Sequence, residues 1–160
     1  MPSTNSLANT SFFLPLLCIF LGSSVGLGIF TFNYAEGTSY FGSDSQSCAN
    51  CHVMQGHYDA WVKSSHGKFA QCNDCHAPHG VAGKFFCKAR NGFFHSLAFT
   101  MGDFPDQILM HEYNQKVVEE NCRYCHTETV HAIDIFDKQP ISQNTLSCLH
   151  CHSGVGHDQR

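Results

Sequence analysis

Four copies of one five-residue pattern constrain this 160-residue chain more than anything else in it. Cys-x-x-Cys-His occurs as "CANCH" (48–52), "CNDCH" (72–76), "CRYCH" (122–126) and "CLHCH" (148–152). Ten cysteines and twelve histidines would give roughly 0.05 such matches by chance, so the repetition reflects chemistry. Two thiols at this spacing reach the two vinyl groups on one haem edge, and the residue after them lies under the iron, which is covalent c-type haem attachment. Zinc knuckles or disulfides would explain paired cysteines, but neither gives a purpose to a histidine directly after every second one.

Dividing 160 residues among four macrocycles leaves 40 residues each. That is too little chain to build an apolar core of its own beside four haems, so the haems must be the core. The expected fold is mainly α and irregular: a multihaem cytochrome c of short helices and ligating loops, with little sheet and one N-terminal transmembrane helix. A formal charge of −4 gives no encouragement to nucleic-acid binding.

Residues 1–35 contain no Asp, Glu, Lys or Arg. Within them "FFLPLLCIFLGSSVGLGIFTF" (12–32) is a 21-residue run broken only by Pro, Gly, Ser and Thr, and as a helix it would span about 30 Å, a bilayer's hydrocarbon core. A cleaved signal peptide has a shorter apolar stretch behind positive charge. The reading is therefore an anchor over 1–35, helix about 12–32, followed by a tetrahaem domain over 36–160. Because c-type haems are attached outside the bacterial cytoplasmic membrane, that domain is expected in the periplasm. Pro15 is expected in the helix's first turn, where a missing N–H is tolerated. Gly22, Ser24, Gly26 and Gly28 fall at small-residue spacings that suit helix–helix contact, or reflect ordinary glycine use in membrane helices. Cys18 and Cys87 have no motif partner and read as small apolar residues.

The first cysteines, at 48, 72, 122 and 148, are 24, 50 and 26 residues apart, so the motifs form two pairs. Between the pairs, "VAGKFFCKARNGFFHSLAFTMG" (81–102) predicts a phenylalanine-rich helix on which Lys88 and His95, two turns apart, share a narrow polar stripe. The stripe is either a solvated face or one wall of a pocket for an amphipathic ligand at the membrane surface. "DFPDQILMHEYNQKVVEE" (103–120), with Pro105 near its start and Leu109, Tyr113 and Val117 in register, predicts an amphipathic helix packed on haem.

Low-spin electron-transfer haems take two axial ligands, usually two imidazoles or imidazole and thioether. Eight further histidines, at 57, 66, 79, 95, 111, 131, 150 and 157, exceed the demand, and spacing alone does not pair them. Met54 follows the first motif as C-x-x-C-H-x-M, an arrangement absent from the other three; on residue type it reads as a packing side chain or a ligand.

"CANCHVM", "SSHGKFAQCNDCHAPHG", "GKFFCKARNGFFH" and "CLHCHSGVGH", together with the N-terminal anchor, resemble the NapC/NirT/NrfH family of membrane-anchored tetrahaem quinol dehydrogenases over nearly the whole chain. The short length and C-x-x-C-H-x-M point to the branch that feeds a pentahaem cytochrome c nitrite reductase. The resemblance implies that Met54 binds the first iron in place of His52, and that a thioether raises that haem's potential. It implies His76 on the second iron opposite a lysine from the catalytic partner, with His131 as a rival. It also pairs His126 with His157 on the third iron and His152 with His66 on the fourth. Lys88 matches the family's quinol-site lysine. Seven residues on, the family commonly has Asp where this chain has His95, which could take the quinol proton or ligate the first iron and block the pocket.

The function expected is thus oxidation of menaquinol and delivery of electrons to a periplasmic nitrite reductase in anaerobic respiration. Supply of another periplasmic reductase, a plain electron carrier, or a terminal reductase with an open first haem are the alternatives. Nine thinly spread Lys and Arg residues argue against the last.

Overall fold

The computed structural model describes residues 5–105, 108–134 and 147–157. Among them are α-helices, short 3-10 helices and no strand, the mainly α and irregular class expected. The chain forms two compact units, Met1–Ser39 and Tyr40–Arg160.

The first unit is dominated by helix α1, Asn5–Tyr34. Its segment Phe12–Tyr34 has a mean hydropathy of 2.1 and is long and apolar enough to cross a membrane. Residues 12–34 are exposed on every side, as suits a helix whose solvent is lipid. Pro15 lies well inside the helix, and not in its first turn as expected, because the helix begins at Asn5, upstream of the apolar run. Membrane helices tolerate Pro where neighbouring helices, Ser or Thr side chains or a local change of winding satisfy the carbonyl it frees. The helix stops where Glu36 turns left-handed at φ 51° and Gly37 passes under the Phe32 ring, which a Cβ would overlap.

A 3-10 helix over Gly37–Phe41 leads out of the first unit. In the second, 3-10 helices over Ser45–Asn50 and His52–Met54 precede α2 (Gln55–Lys63), α3 (Cys72–His76), α4 (Val81–Met101), α5 (Glu112–Cys125), α6 (Thr127–Asp134) and α7 (Cys148–Cys151). Helix α4 matches the 81–102 expectation and ends because Gly102 adopts φ 68°, the left-handed stop that glycine takes without steric cost. Helix α5 begins only at Glu112, with His111 as N-cap, and not near Pro105. After Gly102, residues 103–105 and 108–111 are non-helical, with Phe104 against Phe99 at 4.3 Å between centroids. The chain re-enters a helix where Asn114 accepts a hydrogen bond from Asn91 (3.1 Å) and Tyr113 lies under Arg90 at 4.4 Å. Leu109 is left outside the helix and exposed.

Among the described residues only Ala77, Cys87, Val117 and Val118 are buried apolar side chains, whereas Phe85, Phe86, Phe93, Phe94 and Leu97 are exposed. Polypeptide packing alone does not account for a stable unit with so small a core.

Candidate functional site

The four motifs do not fold alike. The second occupies α3, Cys72–His76, entirely. In the third and fourth, the helix runs through both cysteines and the histidine is its C-cap, its N–H bonded back to the first cysteine's carbonyl at 2.9 Å (His126 to Cys122) and 2.8 Å (His152 to Cys148). This winding puts the first cysteine, the second cysteine and the histidine at i, i+3 and i+4, on one face. The first motif breaks instead. Cys48 lies in the 3-10 helix Ser45–Asn50, Cys51 is extended (φ −83°, ψ 109°), and a separate 3-10 turn, His52–Met54, comes next. At three residues per turn, His52 and Met54 are about 120° apart around the axis, so one side chain can face a given iron while the other faces away. His52 is exposed and Met54 half-buried.

Several polar side chains tie the motifs together, and none of them stood out in the sequence. Ser45, buried, accepts a hydrogen bond from Cys72 N–H at 3.0 Å. Cys48 and Cys72 hydrogen-bond side chain to side chain; that contact pushes the Cys48 thiol up and draws Cys72 down to about 6. Asn121, buried, donates to the carbonyls of Cys75 (2.8 Å) and Ala77 (3.0 Å). Glu119 accepts from Cys148 N–H (2.6 Å) and from the Ser147 hydroxyl (3.1 Å). The only sequence signal of Asn121 and Glu119 is position, one and three residues before Cys122, which has no meaning until the helix is placed.

Several histidine rings from distant segments come close to one another. His66 lies 6.0 Å from His126 between ring centroids. His157 is 5.9 Å from His76, with planes 8° apart, and 5.0 Å from His57. Separations near 6 Å leave room for one metal between two imidazoles, at ~2 Å per metal–nitrogen bond plus a ring radius on each side. His76 is held down to about 4 by burial and by its neighbours His157 and His57. His152 and His131 are exposed. His79 stacks on Tyr124, inside the third motif, at 4.1 Å.

Lys88 reaches the first motif. Its ammonium donates to the carbonyls of Tyr40 (2.8 Å) and Gly42 and is near enough to Cys48 for each to shift the other's ionisation. Burial and the Lys84 charge hold Lys88 below the ordinary lysine value. Lys84 itself donates to Ser43 Oγ at 2.7 Å. His95 meets a different neighbour: burial and His111 hold it below the ordinary histidine value. Cys87 is sealed under the helix, 1% exposed, its thiol donating to His76 O at 3.5 Å.

Paired thiols beside imidazoles, on a polypeptide that leaves its large apolar side chains exposed, fit covalently attached haem, which supplies one-electron transfer when bound. The chain is 35% identical to the cytochrome c-type protein NrfH of Wolinella succinogenes over 141 residues, covering 84% of this chain and 80% of that one. It is 25% identical to the tetraheme c-type cytochrome CymA of Shewanella oneidensis, covering 82% and 84%. A crystal structure of the cytochrome c nitrite reductase NrfHA complex bound to the HQNO inhibitor superposes with a TM-score of 0.60 at 30% identity, covering 86% of this chain and 88% of that one. The family model for the N-terminal region of NapC/NirT cytochromes c matches residues 10–160. With its motifs, its apolar helix and these likenesses together, the chain belongs to the NapC/NirT cytochrome c family.

Proposed function

We propose that this chain is the membrane-anchored electron-transfer subunit of a cytochrome c nitrite reductase. It oxidises menaquinol and passes the electrons, through one haem on each motif, to a catalytic NrfA-type subunit that reduces nitrite. The observation that carries this reading is the likeness to NrfH by sequence and to the NrfHA complex by structure, over more than four-fifths of the chain in each case. The haem domain faces the periplasm, with α1 as its single span.

Within that reading, Met54 ligates the first iron, for which the broken winding at Cys51 is the support. His76, His126 and His152 are the motif ligands of the other three. In the arrangement the resemblance implies, His66 would complete the fourth iron with His152, His157 the third with His126, and a lysine from the catalytic partner the second with His76. His66 and His157 would supply distal imidazoles, and their rings lie 6.0 Å from that of His126 and 5.9 Å from that of His76, which makes these pairs rivals of the family's, with His131 a further rival.

Quinol oxidation releases two protons and two electrons. Lys88, beside the first motif, binds a quinol oxygen; His95, held below the ordinary histidine value, accepts one proton and the second passes to solvent water. The test is detergent-extracted protein, free of partner, mixed anaerobically with a menaquinol analogue while haem absorbance is followed. Rapid partial reduction in the wild type, lost in Lys88→Ala at unchanged haem content, is the expected result. A wild type that dithionite reduces and the quinol does not would contradict the quinol site.

A further inference from the structure

The ends of the one-turn motif helices need partners from elsewhere. An isolated helix of fewer than about 12 residues is marginal in water, and the end groups of a helix have no partner within it. At the end of α3, three consecutive carbonyls are taken up by side chains. Asn121 Nδ2 donates to Cys75 O (2.8 Å) and Ala77 O (3.0 Å), and Cys87 Sγ donates to His76 O (3.5 Å). An amide nitrogen carries two hydrogens, so both are committed to the peptides flanking His76. At the start of α7, the Glu119 carboxylate takes the N–H groups of Cys148 (2.6 Å) and Leu149 (3.4 Å) and the Ser147 hydroxyl (3.1 Å).

Both side chains come from the end of α5, which continues directly into the third motif. Asn121 is 6% exposed, and its contacts cross 46 and 44 residues of chain; those of Glu119 cross 28 to 30. We infer that Asn121 and Glu119 are positioning residues, which fix the second and fourth haem-attachment motifs against the third. The inference rests on haem attachment and not on the quinol reading. Its consequence is specific: the peptide carrying His76 depends on Asn121, and the turn leading to His152 depends on Glu119. Each iron's ligand orientation, hence its spectrum and potential, follows its own tether.

The experiment uses the full haem-loaded protein in detergent, with hydrogen–deuterium exchange to localise the change and electron paramagnetic resonance with potentiometry to read the irons. Asn121→Ala is expected to raise amide exchange in 72–80 about tenfold and to shift the g-values and midpoint potential of one low-spin signal, leaving 147–152 unchanged. Glu119→Gln is expected to do the converse, through a different signal. Asn121→Ser, whose hydroxyl can donate to one carbonyl, is expected to give a smaller shift of the same signal, and it serves in place of the alanine variant if that does not accumulate. Unchanged exchange and spectra would overturn the inference. So would equal perturbation of all four irons at full haem content, which would mark both residues as general packing.

Discussion

The first attachment motif and the three later ones share their five-residue pattern and differ in their backbone. In the second, third and fourth, one continuous turn sets cysteine, cysteine and histidine on a single face. In the first, the turn breaks at Cys51 and the histidine begins a new 3-10 turn that also carries Met54. Covalent attachment constrains only the cysteines, so it tolerates both windings; axial ligation depends on how the chain winds beyond the second cysteine. The broken motif is also the one that Lys88 approaches from α4, whereas the wound ones are tied to each other through α5. On the proposed reading the first region borders the quinol site, while the other three motifs are fixed against one another through α5.

The largest effect that would break this contrast lies on the wound side. His126→Ala should convert one low-spin haem to high spin, read by electron paramagnetic resonance; an unchanged spectrum would show that winding does not decide ligation. On the broken side, His95→Ala should slow quinol oxidation by about 10²-fold or more with haem content intact. Because burial and His111 hold His95 below 6.5, it is neutral at pH 7, and the wild-type rate should fall as pH drops through that lowered value. The variant should lose this acid limb, and an unchanged rate would remove His95 from proton transfer.

Much of this division was legible in the residues. Haem chemistry dictates cysteine spacing, so the motifs could be read directly, and α4 could be bounded because Gly102 stops it. Met54 stood out by type, but whether it or His52 faces the iron depends on the Cys51 torsion, which no residue there announces. Helix α5 was expected too early because Pro105 and Leu109 mimic a start, while the actual one is set by contacts with Arg90 and Asn91 on another helix. Residue spacing does not carry the ligand pairing, since the eight surplus histidines are alike in sequence and their use depends on which distant segments meet around each iron.

Smaller effects sharpen the comparison. Burial would raise Glu119, but hydrogen bonds from Cys148, Leu149 and Ser147 outweigh it and hold the carboxyl below its ordinary 4.5. A depressed carboxylate stabilises the fold above the unfolded value and ceases to as pH falls through the folded one. Exchange in 147–152 should therefore rise on acidification below about 4.5, and Glu119→Gln should flatten that dependence. The smallest effect belongs to the seam between the two windings. Ser45→Ala leaves Cys72 N–H without its partner and should cost about 1 kcal/mol in thermal or denaturant unfolding, with iron spectra unchanged.

The most direct test of the division is potentiometric and paramagnetic titration of His52→Ala and Met54→Ala side by side. His52→Ala is expected to leave the first haem's spectrum and midpoint unchanged. In Met54→Ala that haem should lose its thioether signature and its potential should move by on the order of 0.1 V, within the ~0.8 V that axial ligands span. The reverse pattern, with His52 required and Met54 dispensable, would contradict it.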